Sequence, residues 1–322
     1  MNHSPDNESF GFIQITDCHL MDTPHSLLRG LCTHFTLRRV LQHIARHHAG
    51  EIDFILGTGD YVCFPTERQY GCFADAIQLR ADGPFPGPRA LGFAGLEDVP
   101  IYLLPGNHDG NEPFIRCLFP GSPVPDSLDF AFTHKGIRFI CLDTPRYVMR
   151  PLPHADLDPM CPSSMRLLER ECAALPDDAP IIVAMHLPAA PITELPWAAC
   201  EMPSDMDRAW QILEPKNVLA ILHGHVHATK ERTVQGVPVL ALRATANQWA
   251  DGAELIPTTQ RPHYRVVRIR DGQFSHENVE VDTEWGNVDL ERGVPMNEQG
   301  FAEAGGSAVE HLFYNEPPNR EF

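Results

Sequence analysis

The sequence contains no apolar run long enough to cross a membrane. A transmembrane helix needs about 20 consecutive, mostly apolar residues, and no stretch of the 322-residue chain meets that requirement. The first ten residues are polar and acidic, and they lack the basic start and the apolar segment of a secretory signal. We therefore expect no membrane insertion and a cytoplasmic location.

Basic residues are scarce relative to acidic ones. Lysine and arginine total 25, against 43 aspartates and glutamates, which gives a formal net charge of −18. A surface of this sign repels the phosphates of a nucleic acid polymer, so we expect no partner of that class. A small phosphate-containing substrate is not excluded, because bound metal ions can dominate the charge at one site.

The sequence has no Cys-x-x-Cys pair. Its nine cysteines are scattered from Cys18 to Cys200, which is typical of reduced cysteines that pack as small apolar residues in a cytosolic chain. A zinc site made of cysteines is therefore disfavoured. Histidine, in contrast, is abundant, with 17 residues, and it indicates another kind of site.

Short apolar runs recur along the chain, and each ends in polar residues. Their length, their branched side chains and the glycines and prolines near their ends predict buried strands. The runs are Phe12–Ile15, Asp53–Leu56, Ile101–Leu104, Ile137–Leu142, Ile181–Met185 and Val218–Leu222. Residues 36–47 and 164–174 have the apolar spacing of helices, and Ser163 or Ser164 is a candidate cap of the second. Alternating strands and helices predict an α/β domain, whose ligands bind at the carboxyl ends of the strands.

Changes of composition divide the chain into segments. Residues 81–95 and 145–162 are predicted loops, and each could either cover a site or simply cross the surface. Residues 263–269 and 274–281 flank Asp271-Gly272, which predicts a β-hairpin. We expect a catalytic domain over residues 1–282 and a polar arm or tail over residues 283–322.

Seven residues with metal-ligand chemistry follow five of the predicted strands. Each motif is weak by itself, because lone histidines usually pack and Gly-Asp or Asn-x-Asp strings also form turns. Together they comprise two aspartates, one asparagine and four histidines: Asp17, His19, Asp60, Asn107, His186, His225 and His227. This nitrogen and oxygen set suits Zn, Mn, Fe or Co better than Ca or Mg. Seven ligands are too many for one tetrahedral site, and they suit two divalent ions that share a carboxylate.

The order of these motifs resembles that of the calcineurin-like metallophosphoesterase superfamily. The motifs are Asp-x-His at 17–19, Gly-Asp at 59–60, Gly-Asn-His-Asp at 106–109, His at 186 and Gly-His-x-His at 224–227. The resemblance covers roughly residues 10–282. It implies a four-layer sandwich of two mixed β-sheets flanked by helices, and a phosphoester hydrolase with a dinuclear metal centre.

The resemblance also implies a role for each residue of the motifs. The first metal would be held by Asp17, His19 and His227, and the second by Asn107, His186 and His225. Asp60 would bridge both metals. His108 would act as a catalytic residue beside the scissile phosphate, and Asp109 would orient His108. A hydroxide generated by the metals would attack phosphorus, with no covalent intermediate.

The second half of the chain is similar to the branch that contains class III cyclic nucleotide phosphodiesterases and bacterial glycerophosphodiesterases. The similar segments are residues 129–144, 244–249 and 263–267. The resemblance implies a phosphodiesterase that hydrolyses a small organic phosphodiester of cyclic nucleotide or glycerophosphodiester type. The nucleotide enzymes tend to carry Pro-Ser-Thr where this chain has Arg243-Ala244-Thr245, so both substrate types stay open.

Two other functions stay open as well. A phosphomonoesterase of the same superfamily would use the same residues, and a metal-binding interaction protein would keep the site without turnover. Thr245, Asn247, Arg146 and His263 are candidates for the substrate pocket, although each could equally be a packing residue. The C-terminal arm could also exchange onto a second copy of the chain and form a homodimer.

Overall fold

The computed structural model describes residues 9–29, 31–80, 83–97, 99–144, 159–253, 255–258 and 260–283. Within these ranges the strands are β1 (Phe10–Ile15), β2 (Phe54–Thr58), β3 (Arg89–Ala90), β4 (Pro100–Leu104), β5 (Phe130–His134), β6 (Ile137–Leu142), β7 (Ile181–Met185), β8 (Val218–His223), β9 (Lys230–Val234), β10 (Val237–Ala241), β11 (Gln248–Trp249), β12 (Pro257–Thr258), β13 (His263–Arg270) and β14 (Gln273–Glu280). The helices are α1 (Thr33–His48), α2 (Glu67–Ala76), α3 (Asn111–Leu118), α4 (Pro162–Ala174) and α5 (Met206–Leu213), with a short 3-10 helix at Pro196–Glu201. Each predicted strand and both predicted helices are confirmed.

Two six-stranded sheets form the centre of the fold. The first has the strand order β14-β13-β1-β2-β4-β3, and the second has the order β5-β6-β7-β8-β10-β9. In the first sheet β1, β2 and β4 run parallel, whereas the outer strands pair antiparallel. In the second sheet β6, β7, β8 and β10 run parallel between two antiparallel edges. Both sheets are therefore mixed. In each sheet the carboxyl ends of the parallel strands lie on the same side.

Three hydrophobic cores separate four layers. Along β1, Phe10 and Phe12 enter the core between the two sheets, whereas Ile13 and Ile15 enter the core shared with α1, α2 and α3. The residues of β6, β7 and β8 alternate in the same way between the inter-sheet core and a third core with α4 and α5. Because each sheet is covered on both faces, the predicted four-layer sandwich of two mixed sheets flanked by helices is confirmed.

The predicted hairpin is also confirmed. β13 pairs antiparallel with β14, and Arg270 stands opposite Gln273. Asp271 and Gly272 between them have φ angles of 51° and 73°, which are the left-handed pair of a two-residue hairpin turn. The hairpin extends the first sheet, because β13 also pairs with β1.

The predicted serine cap of α4 is wrong. Cys161 precedes the helix, and Pro162 is its first residue. Proline suits this position because its fixed φ is helical and an N–H there would lack an intrahelical partner. Ser164 lies inside the helix, where its hydroxyl donates to the backbone oxygen of Asp143 at 3.0 Å. This serine therefore ties α4 to the residue that follows β6.

The segment predicted as a loop over residues 81–95 contains a short strand. β3 pairs antiparallel with β4 at the edge of the first sheet, and Arg89 of this strand is buried. The Arg89 guanidinium donates to the backbone oxygens of Gly83 and Arg80, and it lies 5.3 Å from the ring centroid of Phe119. The described part of this segment thus covers a sheet edge.

The domain boundary at residue 283 stays a prediction. Residues 284–322 lie outside the described ranges, as do residues 145–158 of the second predicted loop. Val281, at the end of the predicted domain, and Thr283, the first residue of the predicted arm, are both buried. None of the helices in the described ranges is both long and apolar enough to cross a membrane.

Candidate metal centre

The seven predicted ligands follow the carboxyl ends of five parallel strands. β1, β2 and β4 belong to the first sheet, and β7 and β8 belong to the second, so the site lies where the two sheets meet. Three groups of ligand-type residues have one candidate atom per residue within 4.8 Å of the others. The groups are Asp17, His19 and His227; His19, Asp60 and His108; and Asp60, His186 and His225.

Five of these residues have a left-handed backbone. The φ angles are 53° for Asp17, 45° for His19, 56° for Asp60, 69° for His225 and 47° for His227. In residues other than glycine this conformation brings Cβ too close to the backbone, at a cost of about 1 kcal/mol or more each. The sharp turns after β1, β2 and β8 are therefore strained at the positions that carry ligand-type side chains.

Glycines beside these residues permit the close approach of the two sheets. Gly59 has a φ of 100°, and a Cβ atom there would lie 2.6 Å from Nδ1 of His186. A Cβ atom on Gly224 would overlap Thr16 and Asp17. The glycines of the Gly-Asp and Gly-His-x-His motifs therefore have a steric reason to be glycine.

One side of the site contains Asp17, His19 and His227, which are all buried. The Nε2 atom of His227 lies 3.0 Å from Nε2 of His19 and 3.2 Å from Oδ1 of Asp17. Nδ1 of His227 donates to the backbone oxygen of Asn247 at 2.6 Å. This bond fixes the ring so that Nε2 faces the other two side chains.

The other side of the site is arranged around Asp60. Its Oδ2 atom lies 3.2 Å from Nε2 of His186 and 3.5 Å from Nε2 of His19. Nδ1 of His186 donates to the backbone oxygen of Thr58 at 2.7 Å, which directs Nε2 toward Asp60. Asp60 therefore faces both groups, as a carboxylate shared by two cations must.

His225 connects the two sheets within the site. Its backbone N–H donates to the carboxylate of Asp17, with N–O distances of 3.0 and 3.2 Å. Its Nδ1 atom lies 2.9 Å from Oδ1 of Asn107. The structure thus brings Asn107 and His225, which the family resemblance would assign to one metal, into direct contact.

The buried charges shift one another's pKa values. Burial alone would raise the pKa of Asp17 and Asp60, but the neighbouring histidines, chiefly His227 and His186 respectively, lower both below the ordinary range. Burial would lower the pKa of His186, but attraction to Asp60 raises it to about 9. At His19 burial dominates and lowers the pKa to about 3. At neutral pH these shifts keep both carboxylates ionised, His186 protonated and His19 neutral.

Divalent metal ions fit this arrangement. Nε2 of His186 is buried and makes no hydrogen bond of normal geometry within the described part of the chain, although it lies 3.2 Å from Oδ2 of Asp60; buried polar atoms normally have a hydrogen-bond partner. Asp17 and Asp60 are buried against the same imidazole. Imidazole nitrogen with carboxylate oxygen is a donor set that Zn, Mn, Fe and Co accept.

His108 stands beside the predicted ligands and is less buried than they are. Its Nδ1 atom donates to the backbone oxygen of Cys63 at 2.7 Å, and its Nε2 atom lies 3.9 Å from Oδ2 of Asp60. Burial lowers the pKa of His108, although Asp60 opposes this effect. The ring therefore presents Nε2 toward the site from its more open side.

Asp109 organises the backbone around the site. Its Oδ2 atom accepts hydrogen bonds from the backbone N–H groups of Asp60 and Gly106, each at 2.8 Å. Its Oδ1 atom accepts one from the hydroxyl of Tyr70 at 2.9 Å. That Asp109 orients His108 stays a prediction. The bonds of Asp109 to backbone N–H groups support an indirect effect, in which Asp109 fixes the loop that carries His108.

The four candidates for the substrate pocket have different positions. Asn247 contacts the site through the bond from His227. Thr245 is buried beside the end of β1. His263 lies within hydrogen-bond distance of Thr229 and Arg243, rather than of a predicted ligand. The fourth candidate, Arg146, lies outside the described residues.

A pair of backbone bonds joins the loop after β10 to the end of β1. The N–H of Thr245 donates to the backbone oxygen of Thr16 with an N–O distance of 3.1 Å, and the next residue, Ala246, donates in the same way to the backbone oxygen of Asp17. The loop over residues 244–249 therefore lies against the strand end that carries the first predicted ligands. Two of the four candidates, Thr245 and Asn247, are thus at the site.

Three residues that surround the site were not among the predicted site residues. Trp249 stacks on His227, with ring centroids 5.5 Å apart, and Trp197 packs edge-on against His225 at 6.2 Å. Arg29 lies over Trp249, 4.7 Å from its ring centroid. None of the three belongs to a ligand motif. Only Trp249, which falls within the similar segment 244–249, carried a signal in the sequence.

Comparisons of the sequence with protein families and with individual proteins find phosphoesterases. The sequence model of the family described as calcineurin-like phosphoesterase matches residues 10–229. The chain is 25% identical over 294 residues to the 3',5'-cyclic adenosine monophosphate phosphodiesterase CpdA of Haemophilus influenzae, a match that covers 90% of this chain and 94% of that protein. It is 30% identical over 302 residues to a probable cyclic nucleotide phosphodiesterase of a Psychrobacter species, with coverages of 83% and 85%.

A solved structure of a dimetal phosphatase from Danio rerio has a similar fold. The TM-score is 0.52 at 15% sequence identity, and the match covers 85% of this chain and 99% of that one. At this identity the similarity concerns the fold alone.

Proposed function

The chain belongs to the calcineurin-like phosphoesterase family, and we propose that it hydrolyses small organic phosphodiesters, with 3',5'-cyclic nucleotides as the first candidate substrates. Membership of this family makes it a metal-dependent phosphoester hydrolase. The observation that carries the proposal is the position of Asp60, whose Oδ2 atom faces His186 at 3.2 Å and His19 at 3.5 Å. One carboxylate between two sets of imidazoles supports a pair of metal ions.

The proposed ligands divide into two sets that share Asp60. Asp17, His19 and His227 would hold one ion, and Asn107, His186 and His225 would hold the other. Two divalent ions bound there would lower the pKa of a bound water to about 7 and neutralise charge on the phosphate oxygens. Mn, Fe, Zn and Co are all compatible with the donors.

His108 is the proposed catalytic side chain. Because Cys63 accepts the Nδ1 proton, Nε2 is the atom that would contact the substrate. In the protonated ring Nε2 would donate to the phosphate or to the leaving oxygen, and in the neutral ring it would accept a proton. His108 is partly exposed, whereas the proposed ligands beside it are buried. This position supports the role, because a substrate can contact a partly exposed ring.

The named relatives support a diester rather than a monoester as substrate. The CpdA protein of Haemophilus influenzae is named for cyclic adenosine monophosphate, and the Psychrobacter relative is named for cyclic nucleotides. The sequence departs from the nucleotide enzymes at Arg243, yet the Arg243 guanidinium lies against His263 and Glu280. This departure therefore gives no reason to exclude cyclic nucleotides.

A panel of substrates with Mn²⁺ tests the proposal. The panel contains 3',5'-cyclic AMP, a glycerophosphodiester, bis-p-nitrophenyl phosphate and the monoester p-nitrophenyl phosphate. We expect kcat/KM for at least one diester to exceed that for the monoester, and we expect no turnover after removal of metal by a chelator. A preference for the monoester would instead establish the phosphomonoesterase. Bound metal without any turnover would indicate an interaction protein.

Location and assembly extend the same proposal. The eight cysteines for which the structure gives a state are free thiols, which supports a reducing compartment such as the cytoplasm. A homodimer formed through the C-terminal arm is the proposed assembly. Light scattering of the full chain and of a chain ending at residue 283 would test it, since loss of the dimer only in the shorter chain is the expected result.

A further inference from the structure

Arg29 is a buried cation beside the proposed first metal site. It lies in the loop between β1 and α1, is 3% exposed and has a left-handed φ of 48°. Its Nη1 atom donates to Oδ1 of Asn247 at 2.8 Å. A buried guanidinium on a strained backbone has a substantial cost, so its contacts indicate what it does.

Asn247 connects Arg29 to a proposed metal ligand. Its side-chain oxygen accepts from Arg29, and its backbone oxygen accepts from Nδ1 of His227 at 2.6 Å. The side chain of Asn247 is fully buried, and its Nδ2 atom has no hydrogen-bond partner within the described residues. The bond from Arg29 is thus the contact that fixes the orientation of this side chain.

Trp249 provides a second connection between the same two residues. The Arg29 guanidinium lies 4.7 Å from the indole centroid, and the indole stacks on the His227 ring with an interplanar angle of 25°. The backbone N–H of Trp249 also donates to the backbone oxygen of His227 at 3.3 Å. The guanidinium and the imidazole therefore both pack against the same indole ring, and cation–π attraction holds the guanidinium to it.

These contacts cross the boundary between the two sheets. Arg29 follows β1 of the first sheet, whereas Asn247 follows β10 of the second. The proposed first metal site crosses the same boundary, because Asp17 and His19 follow β1 and His227 follows β8. A link that fixes one half of the site relative to the other would set the position of His227 Nε2.

We propose that Arg29 is a positioning residue that holds His227, through Asn247 and Trp249, in the orientation that binds the first metal ion. This inference rests on the proposed function, since it takes Asp17, His19 and His227 as ligands of one ion. Groups that orient a metal-binding histidine affect metal affinity by about 10- to 100-fold. Arg29 needs no contact with the substrate to have this effect.

The test compares Arg29 with a second buried arginine, Arg89, which lies on the edge strand β3 of the first sheet. Arg89 is 1% exposed, donates to backbone oxygens and lies over the ring of Phe119. Arg29→Met and Arg89→Met remove the same charge from similar surroundings. Both variants should unfold at a lower temperature than the unchanged chain, but only Arg29→Met should bind metal differently.

Calorimetric titration of the metal-free variants with Mn²⁺ gives the decisive measurement. For Arg29→Met we expect one binding step to weaken about 10- to 100-fold, and it should be the step that His227→Ala abolishes and His186→Ala retains. Arg29→Lys keeps the charge without the planar fork of donors and should restore only part of the affinity. Unchanged affinity, or equal weakening of both steps, would overturn the proposal.

Asn247→Ala decides the question if Arg29→Met does not fold. It removes the acceptor of Arg29 and keeps the backbone oxygen that binds His227, so the same step should weaken. Normal affinity in a folded Asn247→Ala variant would contradict the role of this link. Because the titration measures binding, it remains informative even if the unchanged enzyme hydrolyses no ester, which would be a failure of the proposed function alone.

Discussion

The carboxylate of Asp109 accepts a hydrogen bond from the backbone N–H of Asp60, with 2.8 Å between Oδ2 and N. The same oxygen accepts the backbone N–H of Gly106. The end of β2 and the loop after β4 are thus joined through one buried side chain. Asp60 lies in the left-handed region, so this bond also stabilises a strained turn.

Asp109→Ala should destabilise the fold and reduce turnover. Buried N–H groups of Asp60 and Gly106 would lose their acceptor, at a cost of about 1–3 kcal/mol each. Tyr70→Phe is the matched control, because it removes only a hydroxyl, which donates to Asp109 and accepts from the backbone N–H of Gly110; each lost bond should cost about 0.5–1.5 kcal/mol. Urea unfolding and kcat measure both effects. A stability of Asp109→Ala equal to that of Tyr70→Phe would contradict this account of Asp109.

Asp60→Ala should abolish both metal binding and turnover. The variant lacks the carboxylate that faces both proposed ligand sets, so each ion would lose one of its ligands. Elemental analysis of the purified protein provides the measurement. Asp53→Ala serves as the control, because Asp53 pairs with Lys135 and His134 instead, and it should retain its metal. Two full equivalents of metal in Asp60→Ala would rule out the bridging role.

His108→Ala should keep its metals and lose activity. We expect kcat to fall by about 10²–10⁴-fold, the usual contribution of a residue that transfers a proton or contacts the reacting phosphate. His34→Ala is a suitable control, since His34 pairs with Asp75 on the surface and should leave kcat unchanged. If His108→Ala turns over at the normal rate, His108 has no part in the mechanism.

The free energy of unfolding should depend on pH through His43 and His48. Each ring has a nitrogen 2.9 Å from the hydroxyl of Tyr264, and burial lowers the pKa of both below the ordinary value of 6.5. The unfolded chain therefore binds protons more readily than the folded chain. Their contribution to stability should be complete above about pH 6.5 and should decrease as the pH falls below that value.

Urea unfolding from about pH 7.5 to about pH 5.5, on either side of the ordinary histidine pKa, measures this dependence with a chelator present. The double variant His43→Gln with His48→Gln should lose less stability on acidification than the unchanged chain. His25→Gln is the control, because His25 is exposed, and it should follow the unchanged chain. Identical pH profiles for the double variant and the unchanged chain would show that these two histidines do not contribute.

The sequence predicted the strands of the site because local pattern determines them. The apolar runs that end at Ile15 and at Met185 form buried strands whichever strands they pair with. The polar residues that follow each run therefore lie at the end of a strand. The hairpin at Asp271 was equally accessible, because turn chemistry is local. The four-layer arrangement, in contrast, came from resemblance, since nothing local specifies how two sheets stack.

Features that depend on distant contacts could not be predicted. Arg29 donates a hydrogen bond to a residue 218 positions away, and no local pattern distinguishes it from a surface arginine. The strand β3 lies in a segment rich in glycine and proline, which predicts a loop. Its extended conformation depends on its pairing with β4, which the local sequence does not indicate. At α4 the sequence offered two serines, and the fixed φ of Pro162 decided where the helix begins.

The left-handed backbone of the five site residues has a consequence for engineering. At each of these positions a glycine would relieve strain and would remove a side chain proposed to bind metal. Selection of this chain for heat resistance alone would therefore accept glycine at residues of the proposed metal centre. A selection that is meant to keep the enzyme active must include turnover at every round.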